Sequence, residues 1–430
     1  MTGRFKIFFI SLFALLFASP AFAGETAKID TGDTAWILVS AALVMLMTPG
    51  LALFYGGMVR KKNVLGTLMQ SFIAIAIISL QWIFIGYTLS FGPDINGIIG
   101  GLDWAMLNGV GVEPSSYAKT VPHLAFMIYQ AMFAVITPAL ISGAFAERMK
   151  FSAYVIFILL WTTLVYDPVC HWIWGGGWMG KLGVIDFAGG LVVHVTSGIS
   201  ALAAALFIGK RKGYLEELLP PHNLPMTVLG AGLLWFGWFG FNAGSALSSG
   251  ELSAMAFVTT HTGAVAATVT WLVIEWIHRG MPTMFGAATG AIAGLATITP
   301  AAGFVSPMSA LIIGVAAGSL CYLALNLKAK FGYDDTLDAF GVHGVGGIVG
   351  TIGAGLFASA AINGVNGLFF GNASQLFKQL MAIGVVALYS FIISLVVLKV
   401  IDATVGLRVC EECEENGLDI EQHGEAGYFL

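Results

Sequence analysis

What this sequence has least of is charge. Only 10% of its 430 residues are Asp, Glu, Lys or Arg, where a soluble globular chain carries about 25%. With 57% hydrophobic residues, there is too little polar surface to face water, which excludes a soluble domain. The apolar runs are long and continuous and do not alternate, which excludes a membrane β-barrel. Lys and Arg form no block large enough to attract nucleic acid, and the net charge is −5. Cysteine is scarce as well. Cys170 and Cys321 fall in apolar stretches and make no framework. Cys410 and Cys413 form one C-x-x-C pair in a polar tail, a weak zinc signal without a second pair or histidines. It reads more simply as two reduced thiols. Within the apolar segments no E-x-x-H or H-x-x-x-H pattern occurs, and carboxylates are too few for a dinuclear site. Neither a metal nor another cofactor is expected, and the chain does not read as an enzyme.

What is present is a polytopic all-α membrane protein. Residues 1–23 read as a secretory signal peptide. Arg4 and Lys6 precede an apolar run from Ile7 to Phe17, and Ala21-Phe22-Ala23 is a small-residue cleavage pattern. From Thr34 onward, eleven stretches are long and apolar enough for spans, at about 20 residues each. They are 34–58, 64–91, 122–146, 151–172, 189–209, 225–246, 252–277, 284–300, 305–327, 340–360 and 376–403. Basic residues follow the odd-numbered stretches: Arg60, Lys61 and Lys62; Arg148 and Lys150; Lys210, Arg211 and Lys212; Arg279; Lys328 and Lys330; Arg408. By the positive-inside rule the N-terminus is outside and the C-terminus inside. The domain reading is a transmembrane domain over 24–404 and a cytoplasmic tail over 405–430. That tail is acidic and reads as a solvated segment, or as a docking segment for a cytosolic partner.

Two histidines organise the chain. His194 closes DFAGGLVVH and His343 sits in FGVHGVGG. They fall in the fifth and tenth spans, which suggests five spans, five more in inverted orientation, and one extra at the C-terminus. Inverted repeats of this kind place a transport site near the midplane. Intramembrane ionisable side chains face the bundle interior and are functional candidates by default. Burial favours neutral imidazoles. Such a pair can share one N–H and leave other ring positions open to a small N–H donor or to a proton. His261, without an echo in the other half, reads as structural. His123, His171, His222, His278 and His423 lie in loops or near the interfaces and are weaker candidates.

Other candidates surround this pair. Asp186 lies eight residues before His194, placed to cap the fifth span or to attract a cation. Tyr129 and Phe133, four apart, share one face of the third span. Trp174 lies in HWIWGGG at an outer edge, where an aromatic face can hold a small cation. Ser245 ends WFGFNAGS and offers a hydroxyl acceptor, with Trp238, Phe241 and Asn242 on the same segment. Most of the 55 glycines read as small residues that let helices approach closely.

These segments carry a resemblance. MTPGLALFYGGMVRKKNVL, FAERMKFSAYVIF, HWIWGGG, DFAGGLVVH, PHNLPM, WFGWFGFNAGSA, FGVHGVGGIVG and TVGLRVCEECEENGLD run from the first span to the tail. The chain resembles the ammonium transporter family (Amt/MEP, related to Rh proteins), in its bacterial branch. The resemblance implies a homotrimer of eleven-helix subunits in a bacterial inner membrane, each subunit with its own narrow apolar pore for nitrogen uptake. It implies that Trp174 and Ser245, with Tyr129 and Phe133, bind ammonium (or methylammonium) on the outer side. Tyr129, Phe133 and Phe241 would form a stacked aromatic gate, His194 and His343 the pore pair, and Asp186 a carboxylate near the recruitment site. The family's outer gate residue is usually phenylalanine, so Tyr129 is a departure that adds a polar group. The implied mechanism deprotonates ammonium and conducts ammonia past the imidazoles. Membrane lipid and a PII-type signalling protein at the cytoplasmic face are the other implied partners. The rival readings are an ammonium sensor signalling to such a partner and an Rh-like gas channel.

Overall fold

The computed structural model describes residues 28–217 and 219–428. The expected signal peptide, 1–23, lies outside the described residues. Every apolar stretch marked in the sequence is helical. Among the described residues, ten helices are long and apolar enough to cross a membrane: α1 (Thr31–Met58), α2 (Lys61–Phe91), α3 (His123–Phe145), α4 (Phe151–Leu182), α5 (Gly190–Ile208), α6 (Leu224–Ala246), α7 (Glu251–Arg279), then α9 (Pro307–Phe331), α10 (Phe340–Phe357) and α11 (Ala373–Thr404). Between them α8 (Met284–Ile298) has 15 residues, about 22 Å of rise, short of a full span. Buried turns over 299–305 continue it. The eleven sequence stretches are therefore ten full-length helices and one short one.

Capping and packing explain the bounds. Asp30 opens α1 by accepting the Asp33 N–H at 2.9 Å, and Thr283 and Ser306 cap α8 and α9 in the same way. α2 begins earlier than its apolar stretch with a 3-10 turn, Lys61–Asn63, and α4 ends later through a turn and the short helix Trp178–Leu182. Each also holds a π-helical turn inside the stretch, Trp82–Gly86 and Thr162–Tyr166. Small residues let α1 and α6 pack backbone against backbone. A Cβ placed on Gly230 would lie 2.3 Å from the Phe54 nitrogen. The link after α2 holds a two-residue ribbon, β1 (Asp94–Ile95) on β2 (Ile99–Gly100). There the hydrogen bond from His171 and the Lys181 ammonium hold the Asp94 carboxyl down at about 2.

The end bearing the basic loops is closed by paired charges. Glu147 accepts from Arg60 and Arg211, and Asp334 accepts from Arg211 at 2.9 Å. Burial pushes the Glu147 and Asp334 carboxyls up. The guanidiniums of Arg211 and Arg60 for the first, and of Arg148 and Arg211 for the second, outweigh that and hold both below their ordinary values. Arg148 is fully buried and donates to the carbonyls of Ala144, Ala146, Gly209 and Asp334 and to Thr336.

Two readings of the tail are corrected here. It is not a solvated coil: it forms α12 (Glu411–Asn416) and α13 (Leu418–His423) and lies against the basic end. Buried Glu414 accepts the Lys212 N–H at 2.7 Å and pairs with Arg408 at 2.8 Å. Asn63 and Asp419 tie the α13 turn to the start of α2. The acidity that suggested solvation is consumed by the basic loops. Cys410 and Cys413, read as two reduced thiols, are joined in a disulfide.

Candidate functional site

The site starts from how two helices begin. α5 opens with a turn at Gly189, whose φ of +118° suits glycine. The first four free N–H groups of the helix then converge on Asp186. Its Oδ1 accepts from Gly189 and Gly190 at 2.9 and 2.7 Å, and its Oδ2 from Leu191 and Val192 at 2.7 and 3.1 Å. These are donors that a helix start must satisfy. α10 opens the same way: Asp335 accepts from Ala339 at 3.1 Å and Phe340 at 2.8 Å. Asp335 lies eight residues before His343, as Asp186 lies eight before His194. The sequence reading missed Asp335, although the repeated D-x7-H spacing was there to find.

Both starts take a π-helical turn, Gly190–Val195 and Phe340–Gly344, and each turn carries its histidine. The helices meet where glycines let them touch. A Cβ on Gly198 would lie 2.1 Å from the Gly344 nitrogen, and one on Gly347 would lie 2.9 Å from the His194 Cβ. The rings are thereby brought together. Their Nδ1 atoms are 3.3 Å apart, the centroids 5.2 Å, and the planes 16° from parallel. One N–H fills that gap, so one ring donates and the other accepts. His194 Nε2 has no partner among the described residues. Beside the rings lies a cavity of about 10 Å³ walled by Met47, Leu51, Ile136, Leu234, Trp238 and Ile292. That is the least space that holds a water, and apart from the imidazoles its walls offer no polar side chain.

Toward the end away from the basic loops lies a larger cavity of about 270 Å³. Trp174, Phe133, Phe126, Ser245 and Gln130 line it. The Trp174 indole N–H donates to the Asp186 carbonyl at 2.8 Å, which fixes the ring. Between the two cavities the rings form a continuous string. Trp174 to Phe133 is 6.0 Å, Phe133 to Phe241 4.3 Å, and Phe241 to His194 6.1 Å between centroids. Ser245 donates to the Phe241 carbonyl at 2.9 Å, which leaves its oxygen lone pairs as acceptors.

Tyr129 is placed differently from its neighbours on the candidate list. It is fully buried, does not line the larger cavity, and meets Phe133 edge-on at 73° instead of stacking. Its hydroxyl lies 3.0 Å from the Gly240 and Phe241 carbonyls and 3.1 Å from Ser245. The Asp186 carboxylate likewise lies behind the cavity wall. His261 faces outward beside Trp235 and Phe239, away from both cavities. Gln130 was missed in the sequence. It is 8% exposed, and its Oε1 is buried with no partner among the described residues. An amide inside the otherwise apolar run AFMIYQAMFAV was the available signal. Among the described residues no three His, Cys, Asp or Glu side chains converge in a way that could hold a metal ion.

Three comparisons bear on this geometry. The family model described as Ammonium Transporter Family matches residues 35–428. An ammonium transporter of Bacillus subtilis is 54% identical over 400 residues, covering 92% of this chain and 98% of that one. The crystal structure of Saccharomyces cerevisiae Mep2 superposes with a TM-score of 0.85 at 38% identity, over 89% of this chain and 91% of that one. A solved sensor Amt protein also superposes with a TM-score of 0.85, at 29% identity, over 91% of this chain and 98% of that one.

Proposed function

This chain belongs to the ammonium transporter family, and we propose that it takes up ammonium from outside, strips its proton and passes ammonia inward. The outer cavity recruits the ion. The faces of Trp174 and Phe133 attract it, at roughly 0.5–2 kcal/mol per ring. The lone pair of Ser245 that Tyr129 does not use and the unpartnered Gln130 oxygen accept its N–H groups. Tyr129 acts through Ser245 by holding that hydroxyl in place. Beneath, Phe133 and Phe241 close the way until they part.

The narrow, apolar-walled cavity beside the histidines carries this reading. An ion entering it loses water, at an effective cost of several kcal/mol. Potassium carries the same charge as ammonium at nearly the same size and has no way to shed it. Ammonium can leave its proton on an imidazole nitrogen of the pair, which relays it, and neutral ammonia can then donate to or accept from the two rings in turn. His194 and His343 are the pore pair in this scheme, and Asp186 holds the start of α5 and the Trp174 indole in register. The Bacillus subtilis relative is called an ammonium transporter, and the site chemistry is binding and proton release.

The chain functions as a trimer in a bacterial inner membrane, N-terminus outside, with lipid around it and the basic end in the cytosol. A PII-type protein docks at that end, where the tail lies. Ammonium pulses on a solid-supported membrane carrying the purified protein test transport and charge movement together. A transient current in the wild type that His194→Ala abolishes or opens to potassium is the expected result. Unchanged methylammonium uptake with unchanged ion selectivity in that variant would sink the relay. A second reading, an ammonium sensor, draws on the solved sensor Amt protein and on the docked tail. Absence of uptake in proteoliposomes that still bind ammonium would favour it. Deleting residues 405–430 should abolish co-purification of the PII-type partner, and unchanged capture would remove the tail from that role.

A further inference from the structure

We infer that Cys410 and Cys413 form a reversible dithiol–disulfide site that sets how tightly the tail is held against the basic end. The inference uses the orientation given under the proposed function, which puts the tail in the cytosol. Structural disulfides are rare in that compartment, where thiol reductants are plentiful, and those found are usually transient. A bonded pair there is an oxidised state with a reduced counterpart.

The position of the pair gives it a lever. Cys410 is the residue that caps α12, and its sulfur accepts the Cys413 N–H at 3.1 Å. The bond from Cys410 to Cys413 closes the first turn of that helix. The helix needs such a brace. It has six residues, four of them glutamates, and like charges on one short helix repel. Alone it is far below the length at which helices persist in water. The residue after Cys413 is Glu414, the tail's buried anchor on Lys212 and Arg408. Glu415 follows and pairs with the Lys212 side chain, while the Lys62 ammonium reaches its carbonyl. Through these contacts, and through Asp419 and Gln422 further on, the tail covers the loops after α1, α3 and α5. Reduction replaces the covalent brace with two separate thiols that no longer hold residues 410 and 413 at turn spacing. The first turn then frays, and Glu414 and Glu415 lose their fixed geometry.

The sulfurs are accessible to the chemistry. Cys410 is exposed and Cys413 half-buried. A thiolate of a cytosolic dithiol reductant attacks the Cys410 sulfur, Cys413 leaves as a thiolate and takes a proton, and a mixed disulfide forms. The reductant's second thiol resolves it, freeing Cys410. Two electrons and two protons pass from the dithiol to the cystine, which becomes two thiols as the reductant becomes a disulfide. A disulfide oxidant runs the same steps backward.

The test uses the full-length protein. In cells, acid quenching followed by mass-tagged maleimide counts free thiols at 410 and 413 before and after a pulse of diamide. Both thiols free before the pulse and bonded after it is the expected result. A pair bonded throughout, or free throughout, overturns the site. On purified protein, amide hydrogen exchange over 411–422 is compared with and without dithiothreitol. Reduction should speed exchange by roughly fivefold, the usual weight of a helix cap. Cys410→Ala/Cys413→Ala, which removes both the bond and the cap, should exchange fast in both conditions, and equal exchange in all four samples overturns the brace. Labelling of reduced protein in intact cells by a membrane-impermeant maleimide would show the tail outside. That failure belongs to the orientation, and is distinct from a cytosolic pair that does not cycle.

Discussion

Gly198→Ala should break the histidine pair from a distance. Gly198 lies a full helical turn past His194, yet its α-carbon marks where α5 touches α10. The added methyl would sit 2.1 Å from the Gly344 nitrogen and 2.3 Å from its Cα. Both are backbone atoms, so no side chain can rotate aside. Reaching the 3.4 Å at which ordinary contact begins requires a shift of 1.3 Å. The two Nδ1 atoms are 3.3 Å apart, and roughly 0.3 Å more takes them out of hydrogen-bond range. About a quarter of the required shift therefore suffices to separate the rings. Overpacking of this kind costs about 1–3 kcal/mol, which leaves a folded protein in which to measure the effect. Gly232→Ala in α6 is the control, since nothing lies within 4 Å of its added methyl and alanine favours a helix by up to about 1 kcal/mol. The assay is methylammonium uptake into proteoliposomes, with melting temperature recorded for both variants. Gly198→Ala should lose most uptake with a modest drop in melting temperature, and Gly232→Ala should keep both. Full, selective transport by Gly198→Ala would show that the imidazole contact is dispensable.

Gln130→Leu should raise KM for methylammonium about tenfold or more, because a hydrogen bond to a charged partner is worth roughly 1.5–3 kcal/mol; an unchanged KM would remove Gln130 from the recruiting cavity. Tyr129→Phe should weaken uptake less than Ser245→Ala does, since the phenol acts through Ser245, and the reverse order in a side-by-side KM comparison would count against that arrangement. Asp335→Asn should impair transport much as Asp186→Asn does if the two caps are equivalent, which uptake and melting curves of both variants check. The folded-state values of Glu147 and Asp334 are held below their ordinary 4.5 and 3.8. Their stabilisation is thus complete above those values and disappears as pH falls through the depressed ones. Melting temperature should show no loss from these groups from pH 8 to 5 and should fall below about pH 4. Glu147→Gln should be less stable at neutral pH and lose less on acidification.

The sequence announced the helices because lipid demands long apolar runs, and basic residues marked one set of loops. It also announced Trp174, Phe133, Phe241, Ser245, His194 and His343, polar or aromatic residues at rhythmic places, and the structure brings these onto one line. What it concealed depends on contacts between distant segments. The order of the tail was hidden because Glu414 reads as one more solvated acid until Lys212 and Arg408, the former some two hundred residues away, are seen around it. Tyr129 looked like a cavity wall, since helical spacing gives the face of α3 but not what packs behind it. Gln130 was visible as a letter, but its importance lies in having no partner, which only coordinates reveal. The π-helical turns within α2 and α4 left no mark in composition.

The way α5 and α10 begin has an electrostatic consequence. Each helix runs inward from a different end of the molecule, yet both amino-terminal turns lie beside the imidazole contact. A helix start carries about half a positive elementary charge, so two such fields converge on the same few ångströms. Any cation that arrives intact meets repulsion there in addition to the loss of its water. Asp186 and Asp335, one on each turn, are the counterweights. In the proposed scheme the height of that barrier is therefore set by two carboxylates whose oxygens are taken up by backbone N–H groups.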